Sequence, residues 1–416
     1  MDYQYPDVRR CRLDATERRV TTVDESIPLV LKPIKSSNKE FLQEFLNAHS
    51  SQILNDTAKH GALLLRGFAI QTATDFEQQI LSIQGLCGLR EVLFVEPGRT
   101  IQGGTHFVLG TNSFYKTGGA LSFGTFHTEN YHTPDVPRYV AFFCVRPPNL
   151  GGETGLANTA KLYADLPERL RLTLESRACL SYLFPIAEMA RRYELGCEAI
   201  HEFCHRNNLP VVSIDGAQFV AVYKPSVIQH PVTQENSLSV NFGSIQGMRE
   251  SLKQSFLTDY AGIEWALHRM LWKTSWLENI YERARTRRLK KIFDKSGDIN
   301  VSTMTSPLDG AITLATLFSK DDCRLLARSM RRHYSSFIWK QGDILLLDNL
   351  KIAHCGMPGY GERELGVVLC NTIRLDAKSG LYIAKPSDES KESLGAELLS
   401  LRVRNAFSVR SAAALR

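Results

Sequence analysis

Residues 339–370 read WKQGDILLLDNLKIAHCGMPGYGERELGVVLC, and they contain the pattern that decides the fold. Two apolar runs, 343–348 (DILLLD) and 365–373 (LGVVLCNTI), are short, rich in branched residues and bounded by Gly, Asp or Asn. Such runs predict buried β-strands. His354 follows the first strand after a short turn, so its imidazole is expected to reach into the mouth of a barrel.

Short apolar runs of the same kind recur from about residue 120 onward. They are YVAFFCV (139–145), FVAVY (219–223) and LSVNF (238–242). Helical patterns separate them at about 185–207, 246–292 and 320–333. The sequence therefore predicts a mainly β fold with α insertions, a double-stranded β-helix (jelly roll) flanked by helices. A parallel α/β fold is the competing architecture, but the strands and helices do not alternate regularly enough for it.

The segments before this region predict a supporting α/β layer. Helical spacing runs from Lys39 to Leu54, GALLLRGF (61–68) has the pattern of a buried strand, and 73–84 is helical again. We expect 1–60 to form an N-terminal leader and support helix.

The rest of the chain is expected to form one large domain and a short extension. Residues 61–375 would be the main domain, with helical insertions at about 185–215 and 244–338, followed by a C-terminal extension, 376–416. No low-complexity linker divides the chain.

Composition indicates a soluble globular protein. The 416 residues are 43% hydrophobic and 23% charged, and no run of 18 apolar residues occurs. We expect a cytoplasmic location and no membrane partner. The nine cysteines lack paired spacing, which favours free thiols in a reducing compartment. The oligomeric state is left open.

The net charge of +6 is concentrated in a basic run at 283–291 and in the C-terminal tail. Such runs are usually solvated helix faces. The alternative is a docking site for an anionic partner, such as nucleic acid or an acidic carrier protein. The sequence has no nucleic-acid-binding motif, which argues against the nucleic acid.

A second polar cluster is predicted on one helix face. Cys197, His201, Cys204 and His205 recur at helical spacing, which would allow a zinc site. An ordinary buried helix face explains the same spacing.

The segment FGTFHTENYHTPDVPRY (123–139) places His127 and Glu129 two residues apart. On an extended chain these side chains project to the same side, so an imidazole and a carboxylate can meet one cation. The pair alone is also typical of an ordinary polar face. With His354 it would complete a two-histidine, one-carboxylate set that leaves adjacent coordination positions open, as an iron(II) oxygenase requires.

The order of several motifs resembles the taurine dioxygenase-like (TauD/TfdA) family, especially its clavaminate synthase and SyrP-like members, in which glutamate is the carboxylate ligand. The matching motifs are HGALLLRGF (60–68), the H-x-E pair, PP-x-x-GGET ending at Thr154, HPVTQENSLSVNF (230–242), W-x-x-GD-x-x-x-x-DN (339–349), and the distal histidine followed by G-x-R (361–363). The sequence departs from the family where Cys355-Gly356 replaces the common Gly-Arg. The separation of His127 from His354 also implies an extra helical insertion.

The resemblance implies an enzyme that uses Fe(II), 2-oxoglutarate and O2. His127, Glu129 and His354 match the iron ligands, which would be the catalytic centre. Arg363 matches the arginine that pairs with the distal carboxylate of 2-oxoglutarate, in keeping with the two parallel hydrogen bonds that a guanidinium makes. Thr154 matches the hydroxyl that shares this carboxylate.

Two further residues have less certain roles. Arg374 is the alternative to Arg363. Asn349 is expected either to orient the segment carrying His354 or to cap a turn.

The resemblance also implies hydroxylation of an unactivated C–H bond, with release of succinate and CO2. Because Glu129 fills the position that iron-dependent halogenases leave vacant, hydroxylation is favoured over halogenation, while desaturation and ring formation stay open as alternatives. The substrate is expected to be a small molecule derived from an amino acid, by analogy. Asn130 and Tyr131 are the candidate substrate residues, together with loop 103–118 and the insertion 244–338.

Three other functions are compatible with parts of the sequence. The basic run could recruit a macromolecular or carrier-bound substrate. A non-catalytic metal-binding jelly roll is disfavoured because Thr154 and Arg363 are both present. A zinc hydrolase is disfavoured because its chemistry needs no arginine that binds a carboxylate.

Overall fold

The computed structural model describes residues 4–20, 24–90, 101–110, 119–121, 124–130, 132–176, 179–274, 276–281, 283–284, 287, 314–375, 383–384 and 392–414.

The largest element is a seven-stranded sheet, here called the large sheet. Its strands, in order across the sheet, are Val8–Cys11, Leu29–Pro33, Ala62–Leu65, Ile344–Asp348, Asp135–Arg146, Glu364–Arg374 and Leu109–Gly110. Neighbouring strands are antiparallel except for the second and third, which are parallel. This arrangement excludes the competing parallel α/β architecture for the described sheet.

A second sheet, here called the small sheet, carries one of the candidate ligands. Its strands are Tyr334–Ser335, Thr154–Asn158 and Ile352–Gly356, all antiparallel. A third, the insertion sheet, contains Val211–Ile214, Ala217–Lys224 and Cys179–Pro185. Two further three-stranded sheets consist of Asn236–Leu238, Val227–Gln229 and Ile383–Ala384, and of Gly119–Ala120, Gly359–Tyr360 and Leu150–Gly151.

Helices flank these sheets. The α-helices are Lys39–Ala48, Ser50–His60, Ala73–Ser82, Thr159–Ala164, Glu168–Ser176, Ile186–Tyr193, Cys197–Arg206, Met248–Phe256, Ala266–Lys273, Leu314–Leu317, Lys320–Arg332 and Leu394–Ala414. Short 3-10 helices occur at Ala15–Glu17, Phe242–Ser244, Leu257–Tyr260 and Ile263–Trp265. β-sheets with helical insertions are therefore present, as the sequence predicts.

The strand Ala62–Leu65 shows why the large sheet is apolar on both faces. Leu63 and Leu65 point into a core that includes helix residues such as Phe45 and Phe76. Leu64 points to the other face, into a core shared with the small sheet. Because side chains alternate along a strand, a continuous apolar run is needed when both faces are covered.

Some predicted helices are interrupted. The pattern 39–54 divides at His49 into two helices, and 185–207 divides where Glu194 adopts a left-handed φ of 52°. A left-handed residue cannot continue a right-handed helix. Beyond residue 287 the predicted helix 246–292 lies outside the described residues.

The predicted strand 238–242 is shorter than expected. Regular pairing ends at Leu238, and a 3-10 helix begins at Phe242. The amide of Phe242 donates instead to the carbonyl of Phe126, at 2.9 Å. This segment therefore pairs with the one that carries His127.

Candidate metal centre

Main-chain pairing brings His127 and His354 together. His354 is the central residue of the Ile352–Gly356 strand, and His127 forms isolated β-bridges with both His354 and Asn241. The two imidazole centroids lie 4.8 Å apart. Residues 125–127 thus lie between the small sheet and the segment leading to Phe242.

The side chain of Glu129 joins the two imidazoles. Its Oε2 lies 3.9 Å from His127 Nε2 and 3.5 Å from His354 Nε2. One ligand atom from each of the three residues lies within 4.8 Å of the others, and in the described part of the chain no other group of three or more His, Cys, Asp or Glu side chains converges in this way. Glu129 and His354 are buried, and His127 is half-buried.

The hydrogen bond made by the His127 ring determines which of its two nitrogens carries the proton. Nδ1 lies 2.8 Å from the carbonyl oxygen of Thr125, which can only accept a hydrogen bond. In the neutral imidazole Nδ1 therefore carries the proton, which leaves the lone pair on Nε2, the nitrogen that faces Glu129. Metal-ligating histidines are commonly held in this way.

Asn349 fixes the backbone beside Glu129. Its Oδ1 accepts from the Glu129 amide at 2.6 Å, and its Nδ2 donates to the carbonyls of Glu129 and Pro137 at 3.1 and 2.8 Å. The expectation that Asn349 orients the segment carrying His354, or caps a turn, needs revision because its side chain holds the segment carrying the glutamate.

A buried charged network lies next to Asn349, and the sequence analysis missed it. Asp348 Oδ2 accepts from His230 Nε2 at 2.8 Å and from Arg138 Nη2 at 3.0 Å. Burial raises the pKa of the Asp348 carboxyl, but Arg138 and His230 outweigh it, so the pKa falls below its usual value. Two of these residues belong to motifs found in the sequence, His230 to HPVTQENSLSVNF and Asp348 to the Asp-Asn pair. Arg138 belongs to no motif.

Thr154 lies on the strand next to His354. It pairs in register with Gly356, and its Oγ1 accepts from Trp339 Nε1 at 3.2 Å. Arg363 Nη1 donates to the carbonyl of Gly152, two residues before Thr154, at 2.8 Å. Arg363 therefore contacts the turn that leads directly into the strand beginning at Thr154.

Arg374 lies at the other end of the Glu364–Arg374 strand. It is exposed, and its Nη1 lies 3.3 Å from Asn207 Oδ1. Its position on that strand separates it from Gly152 and Thr154, which favours Arg363 over the alternative.

Among the candidate substrate residues, Asn130 is buried and adopts a left-handed φ of 55°. Tyr131 lies outside the described residues. Of the loop 103–118, residues 103–110 are described, and Leu109–Gly110 forms the edge strand of the large sheet. Residues 111–118 lie outside the described part.

The alternative zinc cluster does not assemble. His201 Nε2 lies 2.8 Å from Gln218 Oε1, Cys197 is exposed, and Cys204 is buried. Burial raises the pKa of the Cys204 thiol to about 11, which disfavours the thiolate that a metal would need. An ordinary helix face explains the spacing of these residues.

In the described part of the chain, the helices are too short or too polar to cross a bilayer.

Comparison with known proteins identifies the family. The model of "Taurine catabolism dioxygenase TauD, TfdA family" matches residues 31–261, more than half of the chain, and includes His127, Glu129 and Thr154. No curated protein matches.

Two solved structures are similar over most of their length. PvcB, an Fe, alpha-ketoglutarate-dependent oxygenase from an isonitrile synthetic pathway, is 13% identical with a TM-score of 0.44, over 89% of this chain and 94% of PvcB. A taurine dioxygenase from Burkholderia xenovorans is 14% identical with a TM-score of 0.45, over 89% of this chain and 95% of that one. On the extent of the family match, this chain belongs to the TauD/TfdA family of Fe(II)- and 2-oxoglutarate-dependent dioxygenases.

Proposed function

We propose that the enzyme hydroxylates an unactivated C–H bond of a small, amino-acid-like substrate at a metal held by His127, Glu129 and His354. The observation that carries this proposal is the convergence of two imidazoles and one carboxylate on one point. Two neutral nitrogen ligands and one carboxylate suit Fe(II), and three protein ligands leave positions for a bidentate oxo-acid and O2. The donor set therefore fits the metal that the family uses.

When bound at these ligands, Fe(II) and 2-oxoglutarate would supply the oxidising chemistry, with 2-oxoglutarate and O2 consumed and succinate, CO2 and the hydroxylated substrate formed. The chain's own contribution is to bind and orient. The hydrogen bond from His127 Nδ1 to Thr125 keeps Nε2 available, and Asn349 fixes the backbone of Glu129. Because Glu129 supplies a protein carboxylate, hydroxylation is favoured over halogenation.

Arg363 and Thr154 would hold the distal carboxylate of 2-oxoglutarate. The Nη1 hydrogen bond to Gly152 anchors one side of the guanidinium, and the Trp339 indole donates to Thr154 Oγ1. Since Trp339 uses an acceptor site of the hydroxyl, the hydroxyl proton remains available for a carboxylate. Arg363 and Thr154 would together donate hydrogen bonds to this carboxylate, and those from Arg363 would be charge-assisted.

We propose a double-stranded β-helix as the core that supports this site. In support, Phe142 and Val367 of the large sheet share one buried cluster with Leu156 and Ile352 of the small sheet. The metal-centre residue His354 lies on the small sheet, and its ring packs edge-on against Phe142, with centroids 5.2 Å apart. The triad would then lie between two facing sheets.

The small, amino-acid-like substrate is inferred from the clavaminate synthase and SyrP-like motifs. The alternative is a macromolecular or carrier-bound substrate docked on the basic run 283–291. Of that run, only 283, 284 and 287 lie in the described part. Its role therefore stays a prediction.

The test has two stages. Anaerobic addition of Fe(II) and then 2-oxoglutarate should produce the visible charge-transfer band of the chelate. Succinate formation is then measured with a panel of amino acids and their derivatives, and separately with basic peptides, carrier protein and nucleic acid. Stimulation by peptides, carrier protein or nucleic acid alone would contradict the proposed small-molecule substrate.

A further inference from the structure

Two buried polar residues, Asn130 directly after Glu129 and Lys224 in contact with Asn130, lie outside the group of metal ligands. Lys224 ends the Ala217–Lys224 strand of the insertion sheet and is 2% exposed. Asn130 follows Glu129 directly and is 4% exposed. Lys224 Nζ donates to the Asn130 carbonyl at 3.3 Å, so the two residues are in contact.

The ammonium group of Lys224 has few partners for a buried cation. It has three N–H donors, and in the described part of the chain the carbonyl of Asn130 is its one acceptor. The charge of Asp135 acts on it, but the two form no direct ion pair. Burial lowers the pKa of Lys224 to about 7 although Asp135 opposes the shift. A buried cation with so few hydrogen-bond partners is stabilised by an anion that contacts it.

Asn130 has a fixed backbone and an unused amide. Its left-handed φ of 55° places it in a turn, where its carbonyl also accepts from the amide and hydroxyl of Thr133, each at 3.1 Å. The side-chain Nδ2 is buried and has no acceptor among the described residues. Buried amide groups normally have such a partner, so a ligand is the natural acceptor.

An aromatic wall adjoins these donors. The ring of His132, in the same turn as Asn130, lies 5.3 Å from Tyr182 and 6.2 Å from Phe184. Tyr182 and Phe184 stack with centroids 5.7 Å apart, on the strand that pairs with the strand of Lys224. A polar pair thus lies beside an apolar surface, which is the usual composition of a small-molecule site.

We propose that Asn130 Nδ2 and Lys224 Nζ bind a carboxylate group of the substrate, beside the metal-ligating Glu129. This inference rests on the proposed function for its substrate class. A carboxylate has two acceptor oxygens, one for each donor, and a single negative charge. A dianion such as phosphate would exceed the charge of one lysine that already lies near Asp135, and a neutral amide would leave the ammonium unpaired.

Acetate, with acetamide as its neutral counterpart, is the probe. Each is titrated anaerobically into the complex of enzyme, Fe(II) and 2-oxoglutarate, and the change in the charge-transfer band is recorded. We expect acetate to act saturably and acetamide to act more weakly. In Lys224→Met the half-saturating acetate concentration should rise by roughly 10-fold or more, the usual effect of losing a charge-assisted hydrogen bond.

Two variants of Asn130 separate recognition from folding. Asn130→Asp has the same shape and tolerates a left-handed φ, but its charge repels a carboxylate, so acetate binding should weaken at least as much as in Lys224→Met. Asn130→Gly keeps the turn and the contact of its carbonyl with Lys224 while removing the amide, and should weaken acetate several-fold. Lys320→Met, at an exposed position in helix Lys320–Arg332, is the matched control and should leave the titration unchanged.

The 2-oxoglutarate titration of each variant shows whether the site is folded. Equal acetate binding in wild type, Lys224→Met and Asn130→Gly would overturn the inference, because acetate would then be reaching the metal directly. Acetamide acting as well as acetate would also overturn it. If no amino acid stimulates succinate formation, the proposed substrate class is wrong. The acetate titration tests carboxylate binding at Asn130 and Lys224 independently of that result.

Discussion

The backbone of His127 pairs with the backbone of His354 in both directions. The amide of His127 donates to the carbonyl of His354 at 3.1 Å, and the amide of His354 donates to the carbonyl of His127 at 2.9 Å. The imidazoles are therefore brought together by main-chain atoms, which a substitution of either side chain leaves in place. Variants of either histidine can therefore test metal binding without removing this backbone pairing.

His354→Ala should bind Fe(II) or Mn(II) at least about 100-fold more weakly, because even outer-shell partners of metal ligands are worth 10- to 100-fold. Its thermal unfolding midpoint should stay near that of wild type. Metal affinity is measured by equilibrium titration, and His333→Ala is the control, since His333 is bonded to Asp165 and not to the triad. Unchanged affinity in His354→Ala would remove this residue from the metal centre.

Asn349→Ala tests whether the position of Glu129 depends on its backbone contacts. The variant loses one hydrogen bond from the Glu129 amide and two to carbonyl oxygens. We expect metal affinity to fall by roughly 10- to 100-fold with the three ligands intact. Asn47→Ala removes an exposed amide that bonds only to a neighbouring side chain, and it should have no effect. If Asn349→Ala binds the metal with wild-type affinity, the Asn349 side chain does not position Glu129 for metal binding.

The strands of the core were accessible from sequence for a simple physical reason. Runs such as 343–348 and 365–373 are apolar on both faces because the large sheet is covered on both sides. The structure places them in Ile344–Asp348 and Glu364–Arg374. Helix ends were less predictable, since the breaks at His49 and Glu194 depend on backbone conformation that periodicity does not encode.

The polar residues around the triad could be predicted only where they belong to a motif. Arg138 and Lys224 each border an apolar run of their strand, and their burial is created by segments distant in sequence. Asn349 lay within a recognisable motif, but its partner could not be deduced, because a side chain at a turn can reach either adjoining segment. Contacts of this kind need the three-dimensional structure.

Arg363→Lys tests the co-substrate site. A lysine keeps the charge but cannot make two parallel hydrogen bonds to a carboxylate, so the half-saturating 2-oxoglutarate concentration should rise by roughly 10-fold or more. Fe(II) affinity without co-substrate should not change. Arg374→Lys is the matched control, at the far end of the strand Glu364–Arg374 that begins directly after Arg363. If Arg374→Lys raises the requirement and Arg363→Lys does not, the roles of the two arginines must be exchanged.

Acid stability should depend on Glu17, which joins the N-terminal segment to the core. Its carboxylate accepts from Arg66, which also bonds both oxygens of Asp343, and from Lys32. Burial raises the pKa of Glu17, but the hydrogen bonds from the Asp14 backbone, Lys32 and Arg66 outweigh it and lower the pKa from 4.5 to about 2.

Because the folded-state pKa of Glu17 lies below the unfolded value, its stabilisation is complete above about pH 4.5 and is lost as the pH falls toward 2. Glu17→Gln should therefore lower the free energy of unfolding by about 2–3 kcal/mol at pH 7. Urea unfolding of wild type and variant is compared between pH 7 and pH 3, where the difference should shrink. Glu44→Gln, at an exposed position, should be neutral throughout. A difference between Glu17→Gln and wild type that stays constant with pH would show that the shape of the side chain, rather than its charge, provides the stabilisation.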